Sequence, residues 1–312
     1  MHCDILTRIR DVENLPSLPP VALEIIRLTR DEDVAVDRLA GVIQNDPALC
    51  AQLLRLLNSP AMGLSCEVRS IPQAVALLGT RSVRTLALGF AYTSALAGSL
   101  GEGLDLEQFW RLSVTSAVAA RRLALARHPE RADEAFLAGL LSDIGRLALC
   151  HVAADAYRAI VETARQNCCC VAQIESHLLG VTHARIGGEL LAAWGLPSDI
   201  ATAVRAHHGE ELALLEGVAL ELANLSYCAA AIAELFAGGE QALLAVQALC
   251  QERLQIDQQW LDQLLQQIEQ QIQQTADLLR VRVGVLPSWA DLAGRVRELH
   301  AAPATDQQTD QA

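Results

Sequence analysis

Apolar residues recur at intervals of three and four along most of the chain, and strictly alternating runs bounded by turn residues are scarce. After "NLPSLPP", Pro20 stands at the start of an expected helix, "VALEIIRLTR", where a missing N–H costs least. "DEDVAVDRLAGVIQNDPALCAQLLRLLNSP" reads as two helices. Asp33 or Asp37 is placed to cap the first, and Asp46 the second, with Pro47 at its first position. Pro72 opens another helix that Gly79 closes, and Thr80 is placed to cap the one after it. This half is a string of short helices joined by tight turns.

Beyond "GSLGEGLD" the helices lengthen. "LEQFWRLSVTSAVAARRLALAR", "ADEAFLAGLLSDIGRLALCHV" and "ADAYRAIVETARQ" each read as one. Thr182 caps "THARIGGELLAAWG", which Gly195 closes; "LPSDIATAVRAHHG" restarts at Pro197 and closes at Gly209. The pattern predicts an all-α protein in which an N-terminal subdomain of small helices (12–100) packs on a subdomain of longer helices (101–230). A helical extension (231–300) and a tail without large apolar residues (301–312), expected to be disordered, follow. In the extension, Leu261, Leu265, Ile268, Ile272 and Leu279 stand at near-heptad spacing. Fewer than three heptads is short for an autonomous coiled coil, so the helix is expected to fold back on its own chain; a dimer seam over 256–280 is the alternative.

Composition fits helices: 52% of residues are hydrophobic and only 4% aromatic. A net charge of −13 repels phosphate backbones and argues against nucleic-acid binding. The nine cysteines form no CxxC pair, and "CCC" at 168–170 cannot surround a metal by itself, so they read as small hydrophobes in a reducing cytoplasm. Charges throughout the first sixteen residues lead us to expect no signal peptide, and no apolar run of spanning length is free of charge, Gly or Pro. A cytoplasmic protein without membrane contact is expected.

Four polar residues interrupt patterns that otherwise read as core: Asp143, His183, His207 and His208. Asp and imidazole are the donor types for zinc, manganese or iron. The sequence does not say whether they converge. A buried Asp143 needs a partner, and Arg146 or one of the 207–208 histidines could supply it.

"SDIG" followed by "THARIGGELLAAWGLPSDIATAVRAHHG" resembles the HD superfamily of metal-dependent phosphohydrolases. Together with "LPSLPPVALEIIRL", "VIQNDPALCAQLLRLLNSPAMG" and "IPQAVALLGTRSVRTLAL", it resembles more closely the HDOD family of bacterial signalling proteins, over roughly residues 12 to 230. An active HD enzyme would need a histidine where Leu112 stands, another at Ser142, the aspartate retained as Asp143, and a closing aspartate where Asn224 is the best match. His183, His207 and His208 match additional metal-binding histidines of the branch that cleaves cyclic dinucleotides. The resemblance thus implies a degenerate primary site and no hydrolysis, because lowering the pKa of a bound water requires a firmly held ion. No metal or cofactor is expected, a satisfied internal network being favoured over a single divalent ion held by the four survivors.

The implied function is a non-catalytic regulatory module acting through contacts with signalling proteins, in cyclic-dinucleotide or two-component pathways. The alternatives are a nucleotide phosphohydrolase or phosphodiesterase, and a sensor that holds a nucleotide in the vacated cavity.

Overall fold

A computed structural model describes residues 20–28, 36–99, 104–167, 169–237, 242–279 and 281–292. Among these there are no strands. The helices are α1 (Pro20–Leu28), α2 (Val36–Gln44), α3 (Pro47–Leu57), α4 (Ile71–Ser99), α5 (Leu106–Arg127), α6 (Ala132–Leu141), α7 (Ile144–Gln166), α8 (Val171–Leu179), α9 (His183–Ala193), α10 (Ser198–Arg205), α11 (Gly217–Phe236), α12 (Ala242–Leu254) and α13 (Gln258–Leu279). The all-α expectation holds. "NLPSLPP" before Pro20, Asp33, the boundary expected near residue 100 and the tail lie outside the described residues.

The local signals act where the sequence places them. Asp46 accepts hydrogen bonds from the amides of Ala48 and Leu49, both at 3.0 Å, ahead of Pro47. Gly79, at φ 80°, bends α4 by 114°. The Thr182 hydroxyl accepts from the amide of Arg185 and caps α9.

Helices α1 to α4 pack on one another, and α4 reaches α6 and α7. The second half is built around α5, which lies against α6 and α11; α10 bridges α6 and α11, and α9 sits between α7 and α10. One continuous apolar cluster runs through both halves. The buried Arg121 side chain of α5 joins them, donating to the Met62 carbonyl and lying 3.4 Å from Asp133. Helix α13 lies on α5 and α3, with Leu261, Leu265, Ile268, Ile272 and Leu279 all buried, so the heptad-like positions are covered within the chain.

Four expectations are corrected. "ADEAFLAGLLSDIGRLALCHV" is not one helix: it breaks at Ser142–Asp143, which end α6 and begin α7. Asp37 lies inside the first turn of α2 and is not its cap. Pro197 caps α10 instead of starting it, because a residue that lacks an N–H fits outside the ladder as well as in its first turn. His207 and His208 lie beyond the last turn of α10, in a turn that Gly209 closes at φ 86°. Helix α11 and the broken segment Pro129–Gln166 are long and apolar enough to cross a membrane, but most of their surface is buried inside the fold.

Candidate functional site

Small residues let the site elements approach. A Cβ on Gly145 would lie 2.0 Å from the His183 carbonyl oxygen and 2.8 Å from the Gly187 amide nitrogen, so α7 crosses α9 with backbones touching. That crossing sets Asp143, at the N-terminal end of α7, against His183, at the start of α9. The turn after α10 then brings His207 and His208 to the same point.

The four polar residues singled out in the sequence do converge. Nε2 of His183 lies 3.3 Å from Nε2 of His207, 3.1 Å from Nε2 of His208 and 3.6 Å from Oδ1 of Asp143. His183 and His207 are fully buried; His208 is partly exposed in a cleft of about 510 Å³, which Cys170, Gln173, Ser176, Glu210 and Tyr227 also line. No cationic side chain lines this cleft among the described residues.

The opposite side of each ring is also occupied. His183 Nδ1 is 2.7 Å from Oε2 of Glu175, which accepts the His183 backbone amide as well, at 2.6 Å. His207 Nδ1 donates to the Val204 carbonyl at 2.6 Å. His208 Nδ1 faces the Cys170 thiol at 3.8 Å.

Asp143 has two further contacts. The Arg146 guanidinium lies 3.3 Å from Oδ1, and the Ser142 hydroxyl is 3.2 Å from Oδ2 and 2.9 Å from the Gly139 carbonyl. Arg146 also donates to the Tyr157 hydroxyl at 3.2 Å, which donates in turn to Oε1 of Glu175 at 2.9 Å. A closed network therefore runs Asp143–Arg146–Tyr157–Glu175–His183 and back to Asp143.

Burial and charge oppose each other here. Burial pushes Asp143 up, but Arg146, then His183 and His207, hold its carboxyl below the usual range. Burial likewise raises Glu175, and His183 outweighs it, leaving the carboxyl lowered. Burial disfavours the imidazolium of His183, yet Glu175 and then Asp143 keep its pKa raised. Burial, with His183 adding to it, lowers His207 to about 4, and burial with both neighbouring rings holds His208 well below the usual imidazole value. Burial pushes up the Glu234 carboxyl, which feels Arg146, Asp143 and His183.

Of the positions that the HD resemblance makes diagnostic, Ser142 adjoins the network and is 1% exposed. Leu112 is buried on α5, and the buried Asn224 Oδ1 on α11 has no hydrogen-bond partner among the described residues. A primary HD metal does not fit this set: Leu112 has no lone pair, and Asp143 already faces a buried guanidinium that repels a cation.

Of the two partners considered for Asp143, Arg146 is present; the histidine beside it is His183 and not one of the 207–208 pair. Sequence reasoning missed Glu175, Tyr157, Cys170 and Glu234. Glu175 left a signal, since it shares a helical face with Ala172 and Leu179, both core positions of α8.

An all-helical scaffold with an HD-type aspartate–histidine constellation defines the class. Residues 15–210 match the HDOD domain family, and the chain belongs to that family. An HDOD domain protein of unknown function from Geobacter sulfurreducens has the same fold, at 22% identity, with a TM-score of 0.58 over 96% of this chain and 97% of its own. A candidate phosphohydrolase from Shewanella amazonensis is 25% identical, with a TM-score of 0.59 over 95% of this chain and 94% of its own. A candidate signal transduction protein from Marinobacter aquaeolei is 23% identical, with a TM-score of 0.65 over 89% of this chain and 64% of its own. An uncharacterized protein of Treponema pallidum is 26% identical over 200 residues, 63% of this chain and 38% of that protein, so this chain spans well under half of that relative.

Proposed function

We propose that this HDOD protein is a non-hydrolytic regulatory module that acts through contacts with other signalling proteins in the cytoplasm. One observation carries the reading. Asp143, the surviving residue of the HD pair, is ion-paired inside the protein with Arg146 at 3.3 Å. A carboxylate that already balances a buried cation is a poor anchor for a catalytic metal, and moving it would strand the guanidinium.

Ser142 and Leu112, which replace the two histidines of the HD pattern, support the same reading. So does the likeness to the Marinobacter protein, named for signal transduction. Among the described residues no cation lines the cleft, which disfavours a nucleotide sensor, since phosphates bind where N–H groups or positive side chains face them.

The test is an assay of cyclic di-GMP and a generic phosphodiester, each with added manganese or iron. Turnover no greater than that of Asp143→Ala is expected. Turnover that Asp143→Ala abolishes would establish the hydrolase alternative instead.

A further inference from the structure

We propose that residues 154–167 and 169–179 form an arm that turns about Ala153 to open and close the cleft beside His208, with the hydrogen bonds of Tyr157 and Glu175 as its latch. Such a motion goes beyond the regulatory reading and does not depend on it.

The first support is a break in α7. The backbone leaves helical geometry at Ala153, with φ −147° and ψ 53°. No proline or glycine occurs between Arg146 and Gln166, and alanine is the strongest helix former, so nothing local calls for a kink there. In a straight helix Arg146 and Tyr157 would stand about 16 Å apart along the axis. Across the kink the Tyr157 hydroxyl instead lies 3.2 Å from Nε of Arg146, a contact that holds the bend.

Burial is the second support. From Ile144 to Cys150 every residue of α7 is buried, whereas past the kink only Tyr157, Ile160 and Ala164 are, a single stripe at helical spacing. Helix α8 likewise buries one stripe, Ala172, Glu175 and Leu179. Each stripe has one polar member, and the two meet. The Tyr157 hydroxyl donates to Oε1 of Glu175 at 2.9 Å, while Oε2 accepts the His183 amide at 2.6 Å. Few apolar contacts hold the arm, and its polar ones are linked, so they are lost together; such a segment opens before the rest of a fold.

Placement is the third. The two walls of the cleft belong to different bodies: Cys170, Gln173 and Ser176 ride on the arm, whereas His208 and Glu210 stand on the turn after α10 and Tyr227 on α11. The Cys170 thiol meets His208 across the cleft only at 3.8 Å, a weak tie. Any turn at Ala153 therefore changes the width of the cleft. A partner that seats there would shift the arm between its two positions, as a ligand does that prefers one of two conformations.

Native-state hydrogen exchange in low urea, read peptide by peptide, tests the arm. Amides of 157–166 and 174–179 should open as one unit, faster than those of α5 and α11 and with less dependence on urea. The boundary should fall at Ala153, leaving 147–150 with the slow body. Tyr157→Phe should speed exchange of the arm by about 10–100-fold, since it removes a hydroxyl bonded to two charged groups. Leu265→Ala, on α13, weakens the body alone, so it should speed α5 and α11 and leave the arm unchanged. Alkylation of Cys170 should quicken with the arm in Tyr157→Phe, while that of Cys169, already exposed, should not. One urea dependence shared by arm and body, a Leu265→Ala effect on both, or an arm and a Cys170 indifferent to Tyr157→Phe overturns the proposal. The first two results need no change in the latch, so they decide the matter even if Tyr157→Phe misfolds. None of them bears on hydrolysis, so the regulatory reading stands or falls separately.

Discussion

The Arg146 guanidinium lies 3.3 Å from Oδ1 of Asp143, three residues away along the first turn of α7, and both side chains are almost wholly buried. Neither charge is sheltered alone. Arg146 needs Asp143 and the Tyr157 hydroxyl, while Asp143 needs Arg146, Ser142 and His183. Removing one member therefore costs more than its own contacts, because the partner's charge stays behind.

Glu175→Gln should show this at the far side of the network. The variant removes the carboxylate that accepts from the His183 ring and amide and from Tyr157. A loss of about 2–4 kcal/mol in denaturant unfolding is expected, since buried charged hydrogen bonds are being broken. Side-chain NMR should also show the His183 pKa falling, because burial then acts with less opposition. An unchanged His183 titration would remove Glu175 from its positioning role.

Acidification tests the neutral histidines. His207 is held at about 4 against an ordinary value of 6.5, so between those pH values the unfolded chain binds a proton that the folded chain refuses. Stability should fall as pH drops through that window, by up to about 3 kcal/mol from this group. His183, raised by Glu175, acts oppositely: its contribution is complete below 6.5 and is lost as pH rises through its raised pKa. Asp143 and Glu175 are lowered, so their contributions are lost only as pH falls below the ordinary carboxylate range. Urea unfolding in chelator across pH 4–7 should thus show an acid slope that His207→Gln flattens. An equal slope in that variant would assign the acid sensitivity elsewhere.

The crossing of α7 and α9 leaves no room for a methyl group at Gly145, where the added Cβ would meet the His183 carbonyl oxygen at 2.0 Å. Gly145→Ala should lower stability by more than about 3 kcal/mol or prevent folding, as overpacking against rigid backbone does. Gly41 is the control. It lies inside α2 with nothing within 4 Å of an added Cβ, so Gly41→Ala should raise stability by about 0.5–1 kcal/mol. Thermal unfolding of the two variants reads out the contrast.

Leu265 of α13 is fully buried within the chain. Leu265→Ala should cost about 2–5 kcal/mol by leaving a cavity. The loss should be the same at any protein concentration, because the face is covered intramolecularly. A midpoint that rises with protein concentration would restore the dimer seam.

Most of the fold was legible because helices announce their ends locally. Asp46 with Pro47, Gly79 and Thr182 each mark a boundary that the structure keeps. The break at Ser142–Asp143 was not legible: both flanks are apolar at helical spacing, and the turn follows from packing on α9 through Gly145. The site was half legible. Asp143, His183, His207 and His208 stand out as polar residues in apolar surroundings, but their convergence depends on how α7 and α10 pack on α9. Glu175 was overlooked because a single carboxylate on a short helix reads as surface until its face is known to be core. Tyr157 was overlooked because an aromatic at a core spacing reads as packing, and only its hydroxyl betrays the network.

The most direct test is a double-mutant cycle on Asp143 and Arg146, measured by urea unfolding in chelator and again with added divalent metal. Asp143→Asn and Arg146→Met should each cost about 3–5 kcal/mol, because each strands a buried charge. The double variant should be far less damaged than the sum of the two, with a coupling of at least about 2 kcal/mol. Such coupling would show that Asp143 serves as one half of a buried ion pair. Additive losses, with the Asp143→Asn penalty appearing only when divalent metal is present, would instead make Asp143 a metal ligand and return the protein to the hydrolases.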